Sequence, residues 1–413
     1  MYQRNIAQHT RTALSDTPVI LLNGARQTGK STLAKEIADE LAGDYVTLDD
    51  ATVLSGAVTD PAGFLRGLGN MTVIDEVQKA PGLFPAIKKQ VDADRRPGRY
   101  LLTSSANVLL LPKISESLAG RMEIITLWPL SQGELRGRTE SFVDALFAPE
   151  LPRMARAAPQ DHDVMSLLAT GGYPEAVART DETRRHDWFA SYISAILQRD
   201  VRDLANIEGL TDMPRLLALL AARSSGLLNA SELSRSSTIP QTTLKRYLSL
   251  LQMTFLMEPL PAWSANLSKR LIKAPKVHLI DTGLATHLTG HSPQHLPHDT
   301  TLLGHLLESF VVMELRKQLT WSTVRAKIFH FRTLAGKEVD IVLEDARGRL
   351  VGIEVKSAAS VTKKDFSGLE ILAEETGKKF VRGMVLYTGD TAVAFGDKLT
   401  ALPVSALWRM TSA

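Results

Sequence analysis

The sequence predicts an α/β protein of more than one domain, and three observations carry that expectation. An apolar run, Pro18-Val19-Ile20-Leu21-Leu22-Asn23, reads as a buried strand and leads through a glycine-bounded turn into the helical periodicity of Ser31 to Leu41. A second run, Met71-Thr72-Val73-Ile74, ends in the paired acids Asp75-Glu76. Strand-like and helix-like segments alternate through the first third of the chain, the pattern of a parallel sheet covered by helices on both faces.

The 413 residues suffice for about two to four domains. With 44% hydrophobic and 23% charged residues, the chain has the balance of a water-soluble globular protein. No cysteine is present, which excludes disulfides and thiolate metal sites and suits a reducing cytoplasm. Met1 to Ile6 lacks the apolar core of a secretory signal, and no apolar run approaches the ~20 residues that span a bilayer, so no membrane association is expected. The formal charge of +3 is too small to indicate a partner, so its local distribution matters more.

The turn is Gly24-Ala25-Arg26-Gln27-Thr28-Gly29-Lys30-Ser31, a full match to G-x-x-x-x-G-K-[ST] between a strand and a helix. Glycines let the backbone wrap until successive N–H groups face phosphate oxygens, and the helix N-terminus adds its positive dipole end. These eight residues and Thr32 are the candidate nucleotide-binding set. Lys30 is expected at the β- and γ-phosphates and the Ser31 hydroxyl on Mg2+. Asp75 would hold the same Mg2+, directly or through water, and Glu76 would orient the attacking water.

Tyr45 to Leu48 reads as a further strand, Pro81 to Asp94 as a helix, and Arg99 to Thr103 as another strand. That last strand ends in Ser104-Ser105-Ala106-Asn107, a polar tip in which Ser104 or Ser105 is expected to sense the γ-phosphate. Arg121 precedes the apolar strand Met122 to Trp128 and is placed to act as an arginine finger toward a neighbouring subunit, which implies a homo-oligomer.

Carboxylates on a strand separate from the phosphate-binding loop make residues 1–150 resemble the AAA+ branch of P-loop ATPases. Gly24 to Ser31, Val73 to Glu76, the Leu-Thr-Ser-Ser turn, Leu118-Ala119-Gly120-Arg121 and Trp128-Pro129-Leu130-Ser131 narrow the resemblance. So do Gly171-Gly172-Tyr173-Pro174-Glu175 and Leu197-Gln198-Arg199-Asp200-Val201. Together they look like a prokaryotic AAA family whose members carry a C-terminal domain of unknown function, number 4143. The likeness covers nearly the whole chain and implies ATP, with Mg2+, as the nucleotide. That family often has Gly-Ser where this chain has Ser104-Ser105.

Residues 151–300 read as a helical connector and a winged helix. Residues 141–160, rich in Ala, Pro and Arg, form the link, and Trp188 to Leu204 is an amphipathic helix. Asn229 caps a short helix, Thr238-Ile239-Pro240 turns, and Gln241 to Leu251 is a second helix carrying Lys245 and Arg246. Phe255 to Leu260 and Lys276 to Ile280 would be wing strands. Between them Lys269, Arg270, Lys273 and Lys276 meet no acid, a concentration of positive charge suited to a DNA backbone. His287, His291, His295 and His298 recur in a stretch read as a surface linker.

In residues 301–413, Gly304 to Leu319 reads as a helix containing Glu308, followed by strands at 327–332, 338–343 and 350–356. Asp340 on one strand and Glu354-x-Lys356 on the next place two carboxylates and an amine at one end of a sheet. Two carboxylates suit Mg2+, the lysine suits the nucleophilic water, and Glu308 would be a third ligand. The arrangement resembles the restriction-endonuclease-like PD-(D/E)xK nuclease fold, which would make Asp340, Glu354 and Lys356 catalytic. An inactive fold in which Glu354 and Lys356 form an ion pair is the alternative.

The chain is therefore expected to couple ATP turnover to DNA binding, and to DNA cleavage by its last domain. The competing expectation is an ATP-driven regulatory switch whose last domain binds a protein partner or nucleic acid without cutting.

Overall fold

The computed structural model describes residues 2–107, 118–152, 154, 163–201, 211–333 and 335–411. The end of the expected helix 188–204 and part of the 141–160 connector lie outside the described residues. The chain divides into two compact units, Met1–Leu130 with Leu250–Leu256, and Ser131–Ser249 with Met257–Ala413.

The first unit is built on a five-stranded sheet in the order β2-β3-β4-β1-β5. Its strands are β1 (Val19–Asn23), β2 (Asp44–Thr47), β3 (Thr72–Asp75), β4 (Tyr100–Ser104) and β5 (Met122–Thr126). All pairings are parallel, as the alternation of strands and helices requires. β1 is buried along its whole length, and so are β3 and β4, which explains their near-continuous apolar sequences. β4 lies between β1 and β3, so the phosphate-loop strand and the acid-bearing strand are not neighbours. Both discharge at the same sheet edge, where β1 runs into helix Lys30–Glu40. Leu21, Ile74, Phe84, Tyr100 and Leu102 belong to one apolar core under that edge.

The second unit opens with short helices, Gln132–Leu135 and Phe142–Phe147, and continues through Val164–Thr170 and Glu182–Ala195. The last of these runs into a π turn at Ile196–Val201 where a regular helix was expected. Helices Met213–Ala222 and Ala230–Ser237 follow, the latter capped by the Asn229 side chain, which accepts from Glu232 N at 3.1 Å. β6 (Met257–Leu260) and β7 (Lys276–Leu279) form an antiparallel pair.

The twenty-residue helix Thr300–Leu319 leads into a six-stranded sheet ordered β12-β13-β11-β10-β9-β8. β8 (Ala326–Arg332), β9 (Glu338–Asp345) and β10 (Leu350–Lys356) are antiparallel, with the β9–β10 turn made by Gly348 at φ 74°. β11 (Phe380–Tyr387) is parallel to β10, and β13 (Leu399–Pro403) extends the parallel half. β12 (Val393–Ala394) closes the edge. Helix Ser367–Thr376 covers the centre, and glycines at 352 and 383 give it room: a Cβ on them would stand 2.6 and 3.2 Å from Leu369 of that helix. Among the described residues no helix is long and apolar enough to cross a membrane.

Candidate active site

The phosphate loop is shaped by its glycines. Gly24 sits at φ 149°, and a Cβ there would be 2.2 Å from Leu127 O; Gly29, at φ 93°, turns the chain into the helix that begins with Lys30. The Lys30 side chain is buried and folded onto the loop, donating to Gly24 O at 3.0 Å and Ala25 O at 2.8 Å. Thr28 closes the turn by donating to Ala25 O at 3.0 Å. Gln27 and Thr32 are exposed, whereas Ala25 is buried. Arg4 also braces this loop, donating to Thr28 O at 2.6 Å and Trp128 O at 2.8 Å. No motif marks Arg4 in the sequence.

Asp75 is the hub of the site. Its Oδ1 accepts from Ser31 at 2.9 Å and Thr103 at 2.5 Å, and its Oδ2 from Tyr45 at 2.9 Å and Thr47 at 3.4 Å. Burial raises the Tyr45 phenol pKa, and its hydrogen bond to Asp75 raises it further, so it stays a donor. A carboxylate and a hydroxyl this close form the hard oxygen pair that Mg2+ uses when substrate phosphates and water complete its shell, so this site fits the ion.

Glu76 occupies the left-handed region at φ 58°, with its N–H donating to Thr103 Oγ1 at 2.9 Å. Its Oε2 accepts from Ser105 Oγ at 2.9 Å and from the Gln78 amide, which also donates to Ser105 at 2.9 Å. Ser104 points elsewhere: it is buried and hydrogen bonds with Ala106 of its own turn. Of the two sensor candidates, the structure therefore brings Ser105 and not Ser104 to Glu76. Arg121 is held by Asp92, with Nη2 3.1 Å from Oδ2, and donates to Ala119 O at 3.0 Å.

The C-terminal candidates also converge. Ile341 pairs with Ile353, which sets Asp340 beside Glu354, and Asp340 Oδ2 accepts from Val355 N at 2.9 Å. Lys356 Nζ is 3.4 Å from Glu354 Oε2. Burial, then the adjacent Asp340, lifts the Glu354 carboxyl well above its ordinary pKa. Glu308 is pushed up to about 8 by burial and by Asp340.

The residue between them is Lys276, read from sequence as a wing cation facing DNA. Lys276 Nζ lies 2.7 Å from Glu308 Oε1 and 3.4 Å from Asp340 Oδ1, with all three side chains buried. Burial opposes its charge, but Glu308 and Asp340 outweigh burial and raise the ammonium pKa. Among the described residues no group of three or more acids and histidines is placed to hold a metal ion. Glu308, Asp340 and Glu354 as arranged do not fit the Mg2+ expected of them, because an ammonium already bridges two of the three.

The same contact corrects the expected basic wing. Lys276 is buried; Arg270 is paired with Glu344 at 2.6 and 2.9 Å and lies over the Trp263 and Phe329 rings; Lys273 donates to Arg332 O at 3.1 Å. The Lys269 side chain lies outside the described residues. Two of the four cations, Arg270 and Lys276, thus meet acids distant in sequence. The histidine stretch is not a bare linker either: His287 ends helix Thr282–Leu288 and packs against His186, ring centroids 4.1 Å apart, beside a cavity of about 270 Å3.

Three family models match the chain: an AAA domain over residues 16–136, a domain of unknown function (DUF8612) over 161–295, and a domain of unknown function (DUF4143) over 303–407. An uncharacterized protein of Mycobacterium tuberculosis is 32% identical over 98% of this chain and 84% of its own length. An uncharacterized protein of Haemophilus influenzae is 22% identical over 80% of this chain and 81% of its own. Among solved structures, a Walker-type ATPase of Pyrococcus abyssi aligns with 70% of this chain and 96% of its own at 15% identity and a TM-score of 0.43. With its phosphate loop and acid strand in one parallel sheet and 98% of its length aligned with a 32% identical relative, the chain belongs to the prokaryotic AAA+ ATPases that carry a C-terminal DUF4143 domain.

Proposed function

We propose that the chain hydrolyses ATP at the edge of its first sheet and uses the cycle to change how its other domains engage DNA. The observation that carries the ATPase half is the 2.9 Å contact of Ser31 with Asp75 beside Lys30 and Glu76. Bound Mg2+ would be held by Ser31 and Asp75 and would neutralise charge on the β- and γ-phosphates. Lys30 would leave Gly24 O and Ala25 O for the phosphates, and loop N–H groups would take the remaining oxygens. Glu76 would align the attacking water, with Ser105 and Gln78 fixing its carboxylate. Arg121 would leave Asp92 to stabilise charge in a neighbouring subunit's site, making the active form an oligomer.

DNA as partner rests on a winged-helix reading of residues 211–280 and on the exposed Lys245 and Arg246. The nuclease-like reading of the last domain rests on the convergence of Asp340, Glu354 and Lys356. A second reading, a regulatory switch whose last domain binds without cutting, is favoured by the Lys276 ion pairs.

The deciding experiment measures ATP turnover with and without DNA and scores the same DNA for cleavage in Mg2+ or Mn2+. Lys30→Ala and Asp340→Ala/Lys356→Ala serve as controls. DNA-stimulated turnover lost in Lys30→Ala supports the coupling. Turnover indifferent to DNA overturns it in favour of the switch.

A further inference from the structure

We propose that Lys276 is a built-in counter-cation: its ammonium stands where a divalent ion would bridge Glu308 and Asp340, so the C-terminal carboxylate cluster takes no metal in this arrangement. The inference deepens the second reading above and rests on it only for the C-terminal site.

The contact is a built feature rather than a chance approach of a long side chain. Lys276 opens β7, and the residues on either side of it are clamped. Leu228 N donates to Pro275 O at 2.8 Å, Val277 N to Gly226 O at 3.0 Å, and Ser225 N to Val277 O at 2.7 Å. On the other edge Lys276 pairs with Leu260 of β6. Withdrawing the ammonium therefore means moving a strand, since only 4% of Lys276 is exposed.

The neighbouring oxygens are also engaged. Asp340 Oδ2 takes the Val355 N–H, and Glu354 Oε2 takes Lys356. Three acids thus share two tethered lysines, leaving Mg2+ without the free, hydrated oxygen positions it needs for octahedral coordination at about 2.1 Å. The tethered ion also has an advantage that a dissolved one lacks: its translational freedom was lost when the strands folded. A domain with the residues of a metal-dependent nuclease is in this way kept as a binding domain, and motion of the β6–β7 pair is what would expose its carboxylates.

The test is Mn2+ binding by electron paramagnetic resonance on the nucleotide-free full-length chain, with ATP turnover recorded on the same samples. Turnover reports the ATPase reading separately, so loss of one does not mask the other. Wild type and Asp340→Asn should bind equal numbers of Mn2+ ions. Lys276→Met should bind one more per chain, and Lys276→Met/Asp340→Asn should lose it again. Should Lys276→Met fail to fold, Lys276→Met/Glu308→Gln removes both partners of the buried pair and should still gain an ion at Asp340 and Glu354. A wild-type Mn2+ ion that disappears in Asp340→Asn overturns the proposal. So does a folded Lys276 variant that gains none. If neither variant folds, equal binding by wild type and Asp340→Asn supports it.

Discussion

Ser105 donates its hydroxyl proton to the Glu76 carboxylate at 2.9 Å, while its neighbour Ser104 is buried in its own turn. The two serines are chemically identical and adjacent, so only the direction of the chain at the end of β4 separates them. If Glu76 orients the attacking water, its action depends on the groups that fix its carboxylate. Glu76→Gln should keep ATP binding, seen as a nucleotide-induced rise in Tm, and lose about 100-fold or more in kcat. Ser105→Ala and Gln78→Ala should each lower kcat several-fold with little change in KM. Steady-state kinetics on the three variants and on Ser104→Ala check this. Equal damage from both serine variants would remove Ser105 from its positioning role.

Gly24 and Gly120 separate two demands on a glycine. Both have positive φ, but a Cβ on Gly24 would meet Leu127 O at 2.2 Å, whereas one on Gly120 meets nothing within 4 Å. Gly120→Ala should cost about 1 kcal/mol of backbone strain, and Gly24→Ala about 2–4 kcal/mol together with nucleotide binding. Denaturant titration with and without ATP distinguishes them.

Arg121 is tied to Asp92 within its own chain. If it serves a neighbour, turnover per subunit should rise with protein concentration, and Arg121→Ala should remove that rise with a loss of about 10³-fold in kcat. Mixing Arg121→Ala with Glu76→Gln chains should restore part of the activity, because each supplies what the other lacks. Absence of complementation at concentrations where wild type is fully active would place Arg121 in a structural role with Asp92.

Glu140 gives a pH test of the second unit. Burial, and then the negative charge of Glu314, pushes it from 4.5 to about 7, although Gly133 N donates to its carboxylate at 2.6 Å. A raised folded-state pKa contributes stability fully below the ordinary carboxylate value and loses it as pH rises through the folded value, a loss capped at roughly 3 kcal/mol. Glu140→Gln keeps an acceptor for Gly133 and cannot ionise. Its Tm relative to wild type should therefore climb between pH 5 and pH 8. A difference independent of pH would show that Glu140 does not titrate there.

The phosphate loop, the acid-ended strand and the parallel sheet were legible because each is encoded over a few consecutive residues. Gly24 to Ser31 fixes backbone shape locally, and Asp75-Glu76 ends a run of a length that fits one strand. The convergence of Asp340 with Glu354 was legible too, since a short hairpin sets its register. The later strands β11, β12 and β13 were not read, although Phe380–Tyr387 is mostly apolar, interrupted by Arg382. The π turn at Ile196–Val201 carries no sequence mark either, because it breaks no pattern of residue types.

By itself, then, the sequence determined a phosphate-binding loop and its acids, the α/β class, and the residues that gather at the end of β9 and β10. Only the tertiary structure decided what those residues face. Lys276 finds Glu308 across 32 positions and Asp340 across 64; Arg270 finds Glu344 across 74; Tyr45 finds Asp75 across 30. Local spacing fixes which way a strand or helix presents its side chains. The charge of a site depends on groups brought in from distant segments by burial of the core, and Arg270 and Lys276 of the basic run meet their acids only once the chain folds.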